Sequence, residues 1–277
     1  MHVAIATCRG DNVDVDSPVL LEALERAGVK ASLCVWDDEA IDWEQYDLTV
    51  LRSTWDYARQ RDRFLAWARA RTTLLNPYEV VEYSSDKHYL ADLQARGIST
   101  VPSVFCEVGD APVFPQGDFV VKPAVGAGSI DAARYRRGEV DAATAHVVRL
   151  HDAGRSVLIQ PYVATVDYFG EHAVIFIDGQ YSHAMNKGAM LNTPADERDA
   201  LFRREQMQRD IDEPEALAIA EEILSGFGDL LYARVDFVAA PSGWQVMELE
   251  LVEPSLFLTF EPSAADRLAE AIKRRCA

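Results

Sequence analysis

Cysteine- and histidine-based metal and redox motifs are missing from this chain. Its four cysteines, Cys8, Cys34, Cys106 and Cys276, lie far apart without paired spacing, which argues against a disulfide scaffold and for a reducing cytoplasm. The six histidines form no metal-ligand pattern, and no nucleophile elbow, Cys/His pair, dinucleotide Gly-x-Gly-x-x-Gly, Walker A or kinase Gly-rich loop is present. No window approaches the roughly 18 uninterrupted apolar residues of a membrane helix. The opening "MHVAIATCRGD" lacks a basic region followed by a long apolar stretch, so neither an export signal nor a membrane partner is expected. Positive charge is also in deficit: the formal net charge of -18 argues against sequence-independent nucleic-acid binding.

What remains is a globular chain of 277 residues, 49% hydrophobic and 26% charged, with enough apolar material for one large or several small packed units. Its first part alternates "HVAIATC" (strand), "SPVLLEALERAGV" (helix, with Ser17 as N-cap and Pro18 in the first turn), "KASLCVW" and "DLTVLRS" (strands). This predicts a parallel α/β unit over 1–85, with ligands at the carboxyl ends of its strands. One such end carries Arg52, Ser53, Thr54, Trp55, Asp56 and Tyr57. These residues read either as a site wall or as aromatic caps over the sheet with Arg52 paired to a nearby acid. A helix beginning at Ser84 or Ser85 is expected next. The chain then becomes strand-rich, suggesting α+β units over 86–163 and 164–277 with a polar stretch from Asn192 to Pro214.

Three constellations suggest chemistry. "FVVKPAVGAGS" ends a strand in Lys122 and continues through Gly126, Gly128 and Ser129, so backbone N–H groups and an ammonium can converge on a phosphate; lysine and glycine at an ordinary hairpin is the plainer alternative. "VLIQPYVATVDYFGE" breaks a strand at Pro161, leaving Gln160 and Tyr162 to meet a flat ring and Asp167 or Glu171 to meet a ribose. The third lies in "LLYARVDFVAA" and "QVMELELVEPSLF". Strict alternation puts Arg234 and Asp236 on one face, and Val246, Glu248 and Glu250 on another, opposite Met247, Leu249 and Leu251. Same-face glutamates stand about 7 Å apart and repel. Three carboxylates against one nearby guanidinium imply a missing cation, and an all-oxygen donor set suits Mg²⁺, with two ions matching three acids; a solvated acidic face is the alternative.

The order of these pieces, with "DKHYL" carrying Lys87, resembles the ATP-grasp superfamily over nearly the whole chain. The resemblance implies an ATP-grasp fold, a parallel α/β domain followed by two α+β subdomains that enclose ATP, and an ADP-forming ligase that activates a carboxylate as an acyl phosphate. It assigns Lys87 and Lys122 to phosphate, Gly126 to Ser129 to the closing loop, Gln160, Tyr162 and Val163 to the adenine hinge, and Asp167 or Glu171 to the ribose. It further assigns Arg234 to the transferring phosphoryl group, Lys187 to catalysis, and Asp236, Glu248 and Glu250 to Mg²⁺. The family commonly has Glu-x-Asn where this chain has Glu248-Leu249-Glu250.

Within the superfamily, "RSTWDY", "LLNP", "SHAMNK" and "MELELVEPSLF" look like a glutathione-synthetase-like group that includes the cycloserine synthetases, which cyclise O-ureido-D-serine. An amino-acid-like substrate would then meet Asp14, Asp16, Arg52, Ser53, Thr54, Asp56, His183 and Asn192. Arg52 and Lys187 would take its carboxylate, and Asp14, Asp16 or Asp56 its ammonium. The stretch after Lys187 lacks the arginine-glutamine pattern of commoner members. An intermolecular, peptide-forming ligase and a small-molecule phosphotransferase on the same nucleotide site stay open, as does a homo-oligomer.

Overall fold

The computed structural model describes residues 1–10, 14–189 and 207–276, so the candidate Asn192 lies outside the described residues. The first sheet is parallel. Strands β1 (His2–Thr7), β2 (Lys30–Val35), β3 (Leu48–Ser53) and β4 (Leu74–Leu75) stand in the order β2-β1-β3-β4, with helices α1 (Asp16–Arg26) and α2 (Arg61–Arg69) as crossovers. Helix α1 starts one residue before the expected N-cap Ser17. The Asp14 carboxylate accepts from Asp16 N at 3.0 Å and Ser17 Oγ at 3.4 Å, so an acid two residues upstream satisfies the free donors of the first turn.

Two short helices follow, α3 (Tyr78–Ser84) and α4 (Tyr89–Ala95). Ser84, expected to start a helix, instead ends α3. Its hydroxyl donates to Leu249 O at 3.0 Å and accepts from Leu251 N at 3.1 Å, because a buried strand end offers it better partners than a helix terminus does. The second sheet is antiparallel, β5 (Val104–Cys106), β6 (Phe119–Pro123), β7 (Ala133–Tyr135) and β8 (Val157–Pro161) in the order β5-β8-β6-β7, with α5 (Val140–Asp152) between β7 and β8. Phe119, Val121, Val157 and Ile159 turn toward Ala143, Val147 and Leu150 of α5. Strand alternation therefore turns Val120, Lys122 and Gln160 the other way, into a cavity.

After the short helix α6 (Val166–Phe169), the third sheet runs β9 (Glu171–Ile177), β10 (Gln180–Lys187), β11 (Met207–Arg209), β12 (Tyr232–Ala240) and β13 (Gly243–Glu250). Its order is β11-β10-β9-β12-β13, all antiparallel, with α7 (Pro214–Leu224) before β12 and α8 (Pro262–Arg275) after β13. Helix α8 returns to the first sheet: Ala265, Leu268 and Ile272 share one apolar cluster with Val3, Ile5, Leu20, Leu24 and Ile175. The amino-terminal unit thus closes its core with the carboxyl-terminal segment. None of the described helices is long and apolar enough to cross a membrane.

Strict alternation fails on β13. Asp236 pairs with Glu248 but Phe237 with Val246, leaving Met247 as a bulge residue. Val246 therefore joins Leu249 and Leu251 in the core, and Met247 faces the cavity with Glu248 and Glu250. A buried amide also anchors this region. Asn76 Nδ2 donates to Tyr232 O (3.0 Å) and Leu251 O (2.9 Å), while its Oδ1 accepts from Leu231 N (2.8 Å). Asn76→Ala strands three buried backbone groups, and urea unfolding is expected to show a loss of about 3 kcal/mol; a loss under ~0.5 kcal/mol would show that the amide is dispensable.

Candidate active site

An open cavity lies between the second and third sheets. One wall carries Lys122, Gly126, Gly128, Ser129, Gln160, Tyr162 and Val163, and the other Glu171, Lys187, Arg234, Met247, Glu248 and Glu250. Lys87 enters just before α4, and Trp55, Tyr57, Val252, Glu253 and Ser255 close another side. The loop after β6 holds Gly128, Ser129 and Asp131 at φ 61, 56 and 58°, a left-handed turn closed by Ile130 N on Ala127 O (3.2 Å) and Ala132 N on Ser129 O (3.1 Å). Asp131 is fastened outside by Arg149 (3.1 Å) and Arg155 (2.6 Å).

Register brings the charges together. Arg234 pairs with Glu250 and Asp236 with Glu248 across β12 and β13, while Lys187 pairs with Glu171 across β10 and β9. A side chain at Gly170 would collide with Lys187 O, so glycine permits this close strand entry. Arg234 Nε and Nη2 donate to the two oxygens of Asp236 at 2.9 and 3.0 Å, and Nη2 reaches Glu250 at 2.6 Å. Lys187 Nζ lies 2.5 Å from Asp236 and 2.9 Å from Glu171. Lys122 Nζ donates to Glu248 at 2.9 Å, and Lys87 Nζ stands 3.8 Å from the same oxygen. The cation deficit expected from local sequence is thus filled by three lysines from distant segments. Asp236, Glu248 and Glu250 each offer an oxygen within 4.8 Å of one another, a hard donor set that fits Mg²⁺.

Burial pushes the Asp236 carboxyl up, but Arg234 and Lys187 outweigh it and hold the group below the usual range; Lys122 and Lys87 do the same for buried Glu248. Glu250 moves upward, because burial and the charges of Asp236 and Glu248 exceed the help from Arg234. The trio is therefore unequal: two firm carboxylates and one reluctant one.

Other expected residues stand elsewhere. Asp14, Asp16 and Arg52 form a buried group outside the cavity lining, with Arg52 Nη2 at 3.4 Å from Asp14 and 3.7 Å from Asp16. Ser53 bonds Thr7 at 2.7 Å, Thr54 is fully buried, and Asp56 accepts from Trp36 Nε1 at 2.7 Å. His183 Nε2 donates to Leu256 O at 3.0 Å, and burial first of all lowers its pKa to about 4, so it serves as a neutral core residue. Asp167 accepts from the Tyr162 hydroxyl and lies 3.2 Å from Arg134; Tyr162 lines the cavity and Asp167 does not.

A cycloserine biosynthesis protein, DcsG, of Streptomyces lavendulae is 37% identical over 283 residues, covering 95% of this chain and 94% of that protein. The chain belongs to the DcsG family. Residues 3–76 match the family model for the N-terminal domain of D-cycloserine synthetase DcsG. A crystal structure of D-cycloserine synthetase DcsG superposes with a TM-score of 0.90 at 35% identity, covering 100% of both chains. A RimK domain ATP-grasp protein from Sphaerobacter thermophilus, 17% identical, covers 99% of this chain and 100% of its own with a TM-score of 0.68. The fold of this DcsG-family member is thus the expected ATP-grasp fold.

Sequence reading passed over Glu253 of this DcsG-family chain. Its signal was available, an acid three residues beyond Glu250 and before a proline, but a lone glutamate in a turn reads as solvated. In the fold it is 8% exposed and lines the cavity. Burial, then the charge of Glu250, pushes its carboxyl up to about 8. In the unfolded chain the group ionises near its ordinary pKa, so the folded state holds the extra proton between those values and stability falls as pH rises from about 5 to 8. Without nucleotide or metal, urea unfolding at pH 5.5 and 8 should show this slope and Glu253→Gln should reduce it, Glu250 contributing the remainder; an unchanged slope would place its source elsewhere.

Proposed function

We propose that this DcsG-family member is an ATP-dependent, ADP-forming carbon–nitrogen ligase that closes O-ureido-D-serine into D-cycloserine. The observation that carries the reading is one cavity, in a chain 37% identical to a cycloserine biosynthesis protein, where phosphate-type lysines, Arg234, Glu248 and Glu250 converge, with Asp236 fully buried behind them and within reach of the same ion. Lys87, Lys122 and the Gly126 to Ser129 loop hold the phosphates, and Asp236, Glu248 and Glu250 hold Mg²⁺. The ion, when bound, neutralises phosphate charge. Glu171, which lines the cavity, is the better placed of the two ribose candidates.

Arg234 and Lys187 steady the negative charge that spreads over the transferring phosphoryl group. The substrate carboxylate takes the γ-phosphoryl from ATP, forming an acyl phosphate and ADP. The oxygen-bound ureido nitrogen then attacks the acyl carbon, the carbon–oxygen bond to phosphate breaks, and the ring closes. Atom balance requires one water to remove the carbamoyl group as carbon dioxide and ammonia. No protein nucleophile takes part.

Base choice follows from a hydrogen-bond relay. Ser103 Oγ donates to Val101 O at 2.8 Å, so it can only accept from Gln160 Nε2, at 2.9 Å. That leaves Oε1 as the acceptor of this cavity-lining residue, suited to the 6-amino group of adenine and opposed to the 6-oxo group of guanine. Removing the relay with Ser103→Ala should cut the preference for ATP over GTP about tenfold, or about 1.4 kcal/mol. An unmoved ratio would dissociate the relay from base choice.

Incubation with O-ureido-D-serine and MgATP is expected to release phosphate and D-cycloserine together, and hydroxylamine to trap a hydroxamate. Arg234→Ala should lower kcat by at least ~100-fold, while Glu250→Asn should retain turnover with an altered Mg²⁺ requirement. A stable phosphorylated product would replace the ligase by a phosphotransferase, and product only with an added amino acid would replace cyclisation by peptide-type ligation.

A further inference from the structure

The carboxylates lining the cavity are Glu171, Glu248, Glu250 and Glu253. The first three have cationic partners: Lys187 at 2.9 Å, Lys122 at 2.9 Å and Arg234 at 2.6 Å. Glu253 stands apart. It is 8% exposed, belongs to no ion pair among the described residues, and lies outside the metal-type trio. A buried carboxylate without a counter-ion is costly unless a ligand supplies one. Trp55 and Tyr57 line the same cavity, and the Tyr57 hydroxyl lies near enough to Glu253 for that charge, after burial, to push its pKa up. Aromatic faces and one carboxylate together suit a compact organic cation.

Building on the amino-acid ligase reading, we propose that Glu253 binds the α-ammonium group of the substrate, with Trp55 and Tyr57 forming the aromatic side of the same subsite. The acids expected for this role are already occupied. Asp14 accepts from Asp16 N and faces Arg52, Asp16 accepts from Leu256 N at 3.0 Å, and Asp56 accepts from Trp36; none of them lines the cavity. Glu253 also sits on the turn that follows the metal-type strand and precedes Ser255, whose carbonyl accepts from Arg234 Nη1 at 3.1 Å. An ammonium at Glu253 therefore leaves the substrate carboxylate free to point toward Arg234 and the phosphates.

The test is calorimetric titration of O-ureido-D-serine into the protein with Mg²⁺ and a non-hydrolysable ATP analogue. Glu253→Gln is expected to weaken binding at least ~30-fold, Glu253→Asp less, with nucleotide affinity and the urea midpoint at pH 5.5 within error of the parent. The analogue 3-(ureidooxy)propanoate, which lacks the α-amino group, should bind the parent weakly and Glu253→Gln no more weakly. Equal losses on both ligands, or a loss confined to Mg²⁺ or nucleotide, would overturn the proposal, as would failure of the parent to bind O-ureido-D-serine. Turnover separates it from the functional reading: tight, Glu253-dependent binding without D-cycloserine formation rejects that reading and keeps the subsite. Turnover with Glu253-independent binding does the reverse.

Discussion

The bidentate pair between Arg234 and Asp236, two residues apart on β12, is the interaction around which the remaining charges are arranged. Asp236 is fully buried, and an isolated carboxylate there would take up a proton and cease to be a ligand. Arg234 and Lys187 keep it ionised from two directions, and Arg234 extends to Glu250. Lys122, from the second sheet, and Lys87, from the connection before α4, do the same for Glu248. The cations that would later meet phosphate thus first serve as counter-ions that allow an acidic cluster to exist in a folded interior.

This arrangement joins stability to function. Lysines gathered alone repel one another, and gathered acids do the same; facing each other, the two groups offset both costs. Glu253 belongs to none of these ion pairs, and burial, then the charge of Glu250, keeps its carboxyl high.

Much of the architecture was legible because strands and helices carry their periods openly. The parallel first sheet, the strand ending in Lys122 and the paired strands of Arg234, Asp236, Glu248 and Glu250 follow from alternation and from charges set among apolar neighbours. The bulge at Met247 was not legible, since one inserted residue leaves no mark on composition yet turns Val246 to the core and Met247 to the cavity. Ser84 and Ser17 misled for a related reason: both are good capping residues, and both hydroxyls found other partners in the folded chain.

By itself the sequence determined the elements, the acidic donor set and the ATP-grasp likeness, because these rest on local period and residue type. Only the tertiary structure decided which cations serve those acids, since Lys87, Lys122 and Lys187 come from three segments that meet through long-range strand pairing and close packing. It also separated the buried Arg52, Asp14 and Asp16 group from the cavity and placed Glu253 within it. Burial and ion pairing are properties of neighbours in space. A linear chain does not specify them until it folds.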